Sequence, residues 1–258
     1  MPTARNIDSA LALDGSKVCV QGETHTQLNL ADYFRANNKK YQEMKFGKLD
    51  DVVKAYDSGK CDVLTADVSQ LYALRLNLSK PDDHVILPDI ISKEPLAPVV
   101  RERDDDWMLL VKWTLYAMIN AEELGITSKN IAEARKAKSA GGRRPVGPEG
   151  NDGGDGRVIA KWAGCGVVNA AGPGITSKKR DEARKSKKPD VMRLVGTEGS
   201  YGEDLGLTKD WAARIIRHVG NYGEVYDRNV GSGSKLKIPR GLNQLWSAGG
   251  IQYAPPIR

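Results

Sequence analysis

The sequence predicts an α/β chain organised on a small parallel sheet, and two observations carry that reading. Between Lys17 and Arg75, three short runs rich in β-branched and apolar residues, KVCVQ (17–21), YQEMKF (41–46) and CDVLTA (61–66), each precede a helical pattern of about ten residues. Regular alternation of strand and helix sets the strands parallel and side by side, with helices covering the faces.

Taken in order, the first helix presents Leu28, Ala31 and Phe34 as its inner face. The second is the cleanest: Leu49, Val52, Val53 and Tyr56 fall at i, i+3, i+4 and i+7, and Gly59 stops it. Val68, Leu71 and Tyr72 serve the third. Further on, Trp107, Leu110, Val111, Leu115 and Met118 lie along one predicted helix. Thr208 is placed to cap a long helix in which Trp211, Ile215, Val219 and Tyr222 recur, interrupted by Gly220 and Gly223. Trp246 and Tyr253 are expected as packing anchors rather than ligand contacts, and Pro255-Pro256 ends regular structure.

The totals bound the class. With 258 residues, 40% hydrophobic and 28% charged, the chain can bury one large or two modest cores. No run approaches the roughly 18 apolar residues of a membrane span. The N-terminus, MPTARNIDSALALDG, lacks the apolar core of a signal peptide, as a mature or truncated secreted protein would. The formal charge of +6 is local: residues 125–190 carry 15 Lys and Arg against 7 Asp and Glu, which leaves the remainder slightly acidic. That segment holds Gly and Pro instead of interleaved aromatics, so it reads as a solvated basic loop and not as a nucleic-acid surface.

In an open parallel sheet, ligands sit beyond the carboxyl ends of the strands, where helix N-termini offer free N–H groups. Two segments occupy such ends. After the first strand, Gly22-Glu23-Thr24-His25-Thr26 turns into a helix with a threonine as N-cap, a seat for a carboxylate or phosphate. After the third strand, Asp67 supplies a fixed acceptor at the same sheet edge. An anion seat beside a carboxylate suits a zwitterion. The plainer alternative is that Thr24 and Asp67 only cap helices.

Cys19 and Cys61 stand near the starts of the first and third strands, which are neighbours in a sheet ordered second, first, third. Paired positions on adjacent parallel strands lie near the separation a disulfide accepts, so a Cys19–Cys61 bridge and an oxidising compartment are expected, with two buried thiols as the alternative. Cys165 has no evident partner. Of the three histidines only His25 lies near the inferred site, and neither a Ser-His-Asp set nor a metal-spaced His/Cys cluster emerges.

Residues 125–169 align without a gap to 174–218, as in GITSKNIAEARKAK against GITSKKRDEARKSK. Val191, Leu194, Leu205 and Ile215 of the second copy correspond to Gly142, Pro145, Gly156 and Gly166 of the first, so only the second keeps a packing face. Residues 137–173 therefore read as a poorly packed, Gly-rich degenerate insert.

The stretches CVQGETHTQLNLADYFRANN, GKCDVLTADVSQLYALRL, DHVILPDIISKEPLAPVVR and WTLYAMINAEELGITSKN, with the tail GNYGEVYDRNVG and GLNQLWSAGGIQYAPPIR, resemble the periplasmic general L-amino-acid-binding proteins of ABC importers. The resemblance implies an α/β, type II periplasmic-binding-protein fold in which two lobes close on one amino acid. Residues 1–9 would be the remnant of a hinge crossing, 10–88 the complete parallel-sheet lobe, and 89–136 with 174–258 an incomplete other lobe with C-terminal helices. It implies that Thr24 and the backbone around Thr26 receive the ligand's α-carboxylate, while Asp67 holds its α-ammonium. Where the family reads Thr-Gly-Thr-Thr-Thr this chain has Gly22-Glu23-Thr24-His25-Thr26, so the Glu23 carboxylate must turn to solvent to avoid repelling the ligand. Family members carry further residues ahead of this stretch, including an arginine that clamps the ligand carboxylate; a chain without them is expected to bind weakly or not at all. The implied partners are an L-amino acid and the importer's membrane permease, with no cofactor or metal and a monomeric state. Dehydratases share the fold, which keeps an enzyme as a further alternative.

Overall fold

The computed structural model describes residues 1–136 and 189–257. The expectations for residues 137–173, for Cys165 and for Gly142, Pro145, Gly156 and Gly166 fall outside the described residues. The described residues divide into two compact units, one comprising residues 1–95 with 236–238, the other residues 96–136, 189–235 and 239–257.

The first unit holds three parallel strands, β1 (Lys17–Gln21), β2 (Gln42–Phe46) and β3 (Val63–Leu64), in the order β2-β1-β3. Cys19 stands opposite Met44 on one side and Leu64 on the other. β1 is central because its interior is wholly apolar: Val18, Cys19 and Val20 are fully buried. Alternation then sorts the two faces. Val18, Val20 and Val63 pack with Leu30 and Phe34, while Cys19 and Leu64 pack with Val52, Ala55 and Tyr56. β3 is shorter than the predicted 61–66, although the ladder continues through Asp62 N–H to Lys17 O and Thr65 N–H to Cys19 O. The chain then leaves the sheet at Ala66 and Asp67 to start a helix.

Three helices follow the strands: α1 (His25–Ala36), α2 (Leu49–Asp57) and α3 (Val68–Arg75). α2 buries Val52, Ala55 and Tyr56 and half-buries Leu49 and Val53, and Gly59 follows it with φ 76°. α1 differs from expectation. Leu28 and Ala31 are exposed, and the inner face is Leu30 and Phe34, flanked by half-buried Thr26 and Tyr33. Apolar residues occur at two phases along this helix, and the larger Leu30–Phe34 pair, extended by the Phe34–Tyr41 ring contact at 4.6 Å, takes the core. In α3, Val68, Leu71 and Tyr72 are half-buried and none is fully buried.

The Cys19–Cys61 disulfide is present, with Cα atoms 5.7 Å apart. It joins β1 to the chain entering β3 and excludes the reading of two free thiols.

In the second unit, the described residues form helices: α4 (Asp105–Glu123), α5 (Ile131–Lys136), α6 (Pro189–Leu194), α7 (Tyr201–Asp204), α8 (Trp211–Val219) and α9 (Tyr222–Asn229). Their core gathers Ala117, Met118 and Ala121 of α4 with Ile215, Ile216 and Val219 of α8 and Val225 and Tyr226 of α9. Met118 is thus fully buried, and half-buried Leu115 packs against the same cluster. Val191, Leu194 and Ile215, the apolar positions of the second repeat copy, are also buried here.

The single long helix expected after Thr208 is two. Gly220 adopts φ 97°, ending α8, and Asn221 starts α9 with a capping box shared with Glu224. Asp210 occupies the N-cap of α8, and Thr208 donates its hydroxyl to that carboxylate at 2.8 Å. Trp246 and Tyr253 do not anchor the core: they are 58% and 62% exposed and lie edge to face, with the Trp246 indole donating to Glu123 at 2.8 Å.

Candidate functional site

The carboxyl ends of β1 and β3 bring the two sequence-predicted segments to one edge. β1 ends in a tight turn at Gly22, whose N–H donates to Phe46 O at 2.8 Å. A Cβ on Gly22 would lie 2.2 Å from Lys45 Cε, so a larger residue there would have to push the exposed lysine stem aside. Glu23 follows with φ 60°; its N–H donates to Gln27 Oε1 at 2.9 Å, and its side chain is exposed.

Thr24 and Asp67 are both N-caps, but they act differently. The Thr24 hydroxyl accepts from Gln27 N–H at 3.3 Å and donates to Gln21 O at 2.8 Å. Its proton is thus committed within the turn, as the capping alternative requires. Asp67 precedes α3 with no side-chain capping bond, and its carboxylate has no hydrogen bond or ion pair among the described residues. Capping alone therefore accounts for Thr24 and leaves Asp67 unexplained. Thr26, in the first turn of α1, likewise has a hydroxyl without a partner among those residues. The first N–H groups of any helix lack intrahelical acceptors, so those of His25 and Thr26 add to the seat.

Thr26 and Asp67 line one cavity of about 180 Å³. Its walls come from α1 (Asn29, Leu30, Tyr33), from residues 63–68 and from residues 84–92 with Glu94. Glu23 and Thr24 are not among the lining residues. The segment 84–92 is held by an isolated bridge between Pro2 and His84 and by Val85 N–H to Met1 O at 2.8 Å.

Three further charged residues in these walls were not singled out from sequence. Asp89 accepts from Ser9 Oγ at 3.0 Å and Ala10 N–H at 2.8 Å, and Glu94 accepts from Asn29 Nδ2 at 2.6 Å. Burial, with the Asp89 charge adding, holds the Tyr33 phenol above its ordinary value. The third is Arg75, the last residue of α3. No motif marks these three; Asp89 and Glu94 reach the site only through the path of an irregular segment. Chemically, the arrangement offers a ligand a free carboxylate, a hydroxyl and first-turn N–H groups, a set suited to non-covalent capture of a zwitterion.

Among the described residues no group of His, Cys, Asp and Glu is arranged to hold a metal, and no helix is long and apolar enough to cross a membrane.

Comparison with known proteins gives a consistent set of relatives. The chain is 48% identical over 253 residues to the general L-amino acid-binding periplasmic protein AapJ of Rhizobium johnstonii. It is 46% identical over 257 residues to the putative amino-acid ABC transporter-binding protein YhdW of Escherichia coli K12. It is 36% identical over 253 residues to the glutamate/glutamine/aspartate/asparagine-binding protein BztA of Rhodobacter capsulatus. Each match covers 98% of this chain and 60% of the relative, so the chain spans less than two thirds of their length. Among solved structures, an ABC transporter periplasmic binding protein from Brucella ovis with glutathione bound matches at 44% identity and a TM-score of 0.70, covering 98% of this chain and 64% of that one. No family profile matches the chain.

Proposed function

We propose that this chain, which is similar over 98% of its length to amino-acid-binding proteins of ABC transporters, takes part in capturing an L-amino acid in the periplasm for delivery to a transporter permease. Asp67 takes the ligand's α-ammonium. The Thr26 hydroxyl and the N–H groups opening α1 take its α-carboxylate, while Thr24 shapes the turn that presents them and Glu23 points its charge to solvent. Capture is non-covalent, by a monomer, and needs no metal, cofactor or general base. The observation that carries this reading is the carboxylate of Asp67, unpartnered in a cavity it shares with Thr26.

Titration calorimetry with the common L-amino acids tests it. A charge-assisted hydrogen bond contributes about 1.5–3 kcal/mol, so Asp67→Ala should weaken binding about 10- to 100-fold. Unchanged affinity in that variant would remove Asp67 from the site, and silence of the unmodified chain up to millimolar ligand would end the proposal.

A further inference from the structure

Arg75 ends the helix that Asp67 begins, and both residues line the same cavity. Its Nε is the one buried side-chain nitrogen or oxygen among the described residues that has no hydrogen-bond partner. No ion pair or hydrogen bond engages the rest of the guanidinium within those residues. The guanidinium lies over the Tyr72 ring, with Cζ 5.6 Å from the ring centre. Tyr72 is itself half-buried, and burial raises its phenol pKa while Arg75 opposes the rise.

Arg75 as a whole is half-buried, but a buried Nε with no acceptor calls for an explanation, because folded chains seldom leave such a donor unmet. The wall carboxylates do not meet it. Asp89 and Glu94 are engaged by Ser9, Ala10 and Asn29. Asp67 stands at the other end of α3.

The helix sets the distance. Five residues separate Asp67 from Tyr72, about 7–8 Å of helical rise. Side chains on a helix lean toward its N-terminus, and the stacking of Arg75 on Tyr72, three residues earlier, follows that lean. The guanidinium therefore lies nearer Asp67 than the full length of α3 implies. L-Glutamate spans about 5 Å from its α-nitrogen to its distal carboxyl carbon. A hydrogen bond of about 2.8 Å at each end lets it bridge this gap.

We propose that Arg75 binds the distal carboxylate of the ligand, so that this site takes acidic amino acids in preference to their amides. The inference rests on the amino-acid-binding reading above and deepens it. Asp67 reads the ammonium common to all amino acids, and Arg75 reads the side chain. The fork of the guanidinium offers paired donors to a carboxylate and only one useful donor contact to a carboxamide oxygen.

The test is calorimetry of the chain and two variants against L-glutamate and L-glutamine. The unmodified chain should bind glutamate about 10-fold tighter, and Arg75→Gln should erase that preference while leaving glutamine within about 3-fold. Arg75→Lys, which keeps the charge and loses the fork, should retain part of it, and thermal melting checks that both variants fold. Equal loss for both ligands in Arg75→Gln, or no loss for either, overturns the assignment of Arg75 while leaving the amino-acid-binding reading in place. An unmodified chain that binds neither ligand overturns both.

Discussion

In the helical unit, Glu122 and Arg240 meet through two hydrogen bonds of 2.8 and 3.1 Å; in the sheet unit, Asp67 and Arg75 occupy opposite ends of α3 and neither has a charged partner among the described residues. The surroundings differ in the same sense. Arg240 lies 5.3 Å from the centres of both the Tyr222 and Tyr226 rings and donates to Asn243 O at 2.9 Å. Asn120 reaches Pro255 O, and Glu224 accepts from both the N–H and the hydroxyl of Ser128. Helix ends and tail are thereby held by hydrogen bonds whose partners lie within the unit. A charge whose partners all lie within its own unit holds structure; a charge that faces a cavity without one is available for a ligand.

Substitution can break that contrast, and the largest effect belongs to the Glu122–Arg240 pair. Arg240→Ala leaves Glu122 half-desolvated and alone, which costs about 3–5 kcal/mol for a buried pair. Denaturant unfolding reads it, and a loss below about 1 kcal/mol would mean that Glu122 finds other partners or water. Removing the disulfide through Cys19→Ala and Cys61→Ala should cost about 2–4 kcal/mol in the sheet unit. Thiol titration of the denatured, unreduced chain should correspondingly find Cys165 and neither of the others.

Smaller effects sharpen the contrast within the sheet unit. Thr24→Ala should cost about 1 kcal/mol, since it removes the N-cap acceptor of α1. Asp67→Ala should stay within about 0.5 kcal/mol, because that carboxylate caps nothing. If the two losses proved equal, the distinction between a capping and a ligand-ready residue would fail. Acidity gives a further readout. The Tyr56 hydroxyl lies 2.7 Å from His84 Nδ1. Burial first, then the nearby amino-terminal charge, lowers the His84 pKa below 6.5, against the opposing pull of Asp57 and Asp83. Below pH 6.5 the unfolded chain takes up a proton that the folded imidazole resists. The stability that neutral His84 contributes is therefore present above that pH and lost as pH falls through the lowered folded value. The melting temperature should drop on acidification from pH 7.5 toward 5, and His84→Gln should flatten the drop.

The parallel order of the strands, the disulfide and the placing of the 22–26 turn and Asp67 at one sheet edge were legible in the sequence, because each follows from strand–helix alternation and local spacing, whereas Thr26 itself was marked only by the family resemblance. What sequence missed depended on competition between faces or on irregular paths. α1 carries apolar residues at two phases, and only packing against β1 selects Leu30 and Phe34 over Leu28 and Ala31. The break at Gly220 was visible as a glycine, yet its reading as a helix end needs the positive φ and the Asn221–Glu224 box that follows. Arg75 and Asp89 join the site through the ends of α3 and the unpatterned segment after His84, where periodicity carries no signal. For Thr24 and Asp67, spacing gave one reading and hydrogen bonding gives two.

The bridge between Cys19 and Cys61 has a topological consequence. It makes residues 19–61 a covalently closed ring that contains the whole α1–β2–α2 passage, including the turn after α1, where Asn38 and Lys40 are exposed. A protease that nicks this turn produces two polypeptides but not two particles. The fragment bearing Thr26 stays fastened to the fragment bearing Asp67, and the cut chain migrates as one species until a reductant is added. Damage at that loop is thus survivable for the two halves of the cavity in an oxidising compartment, and separates them in a reducing one.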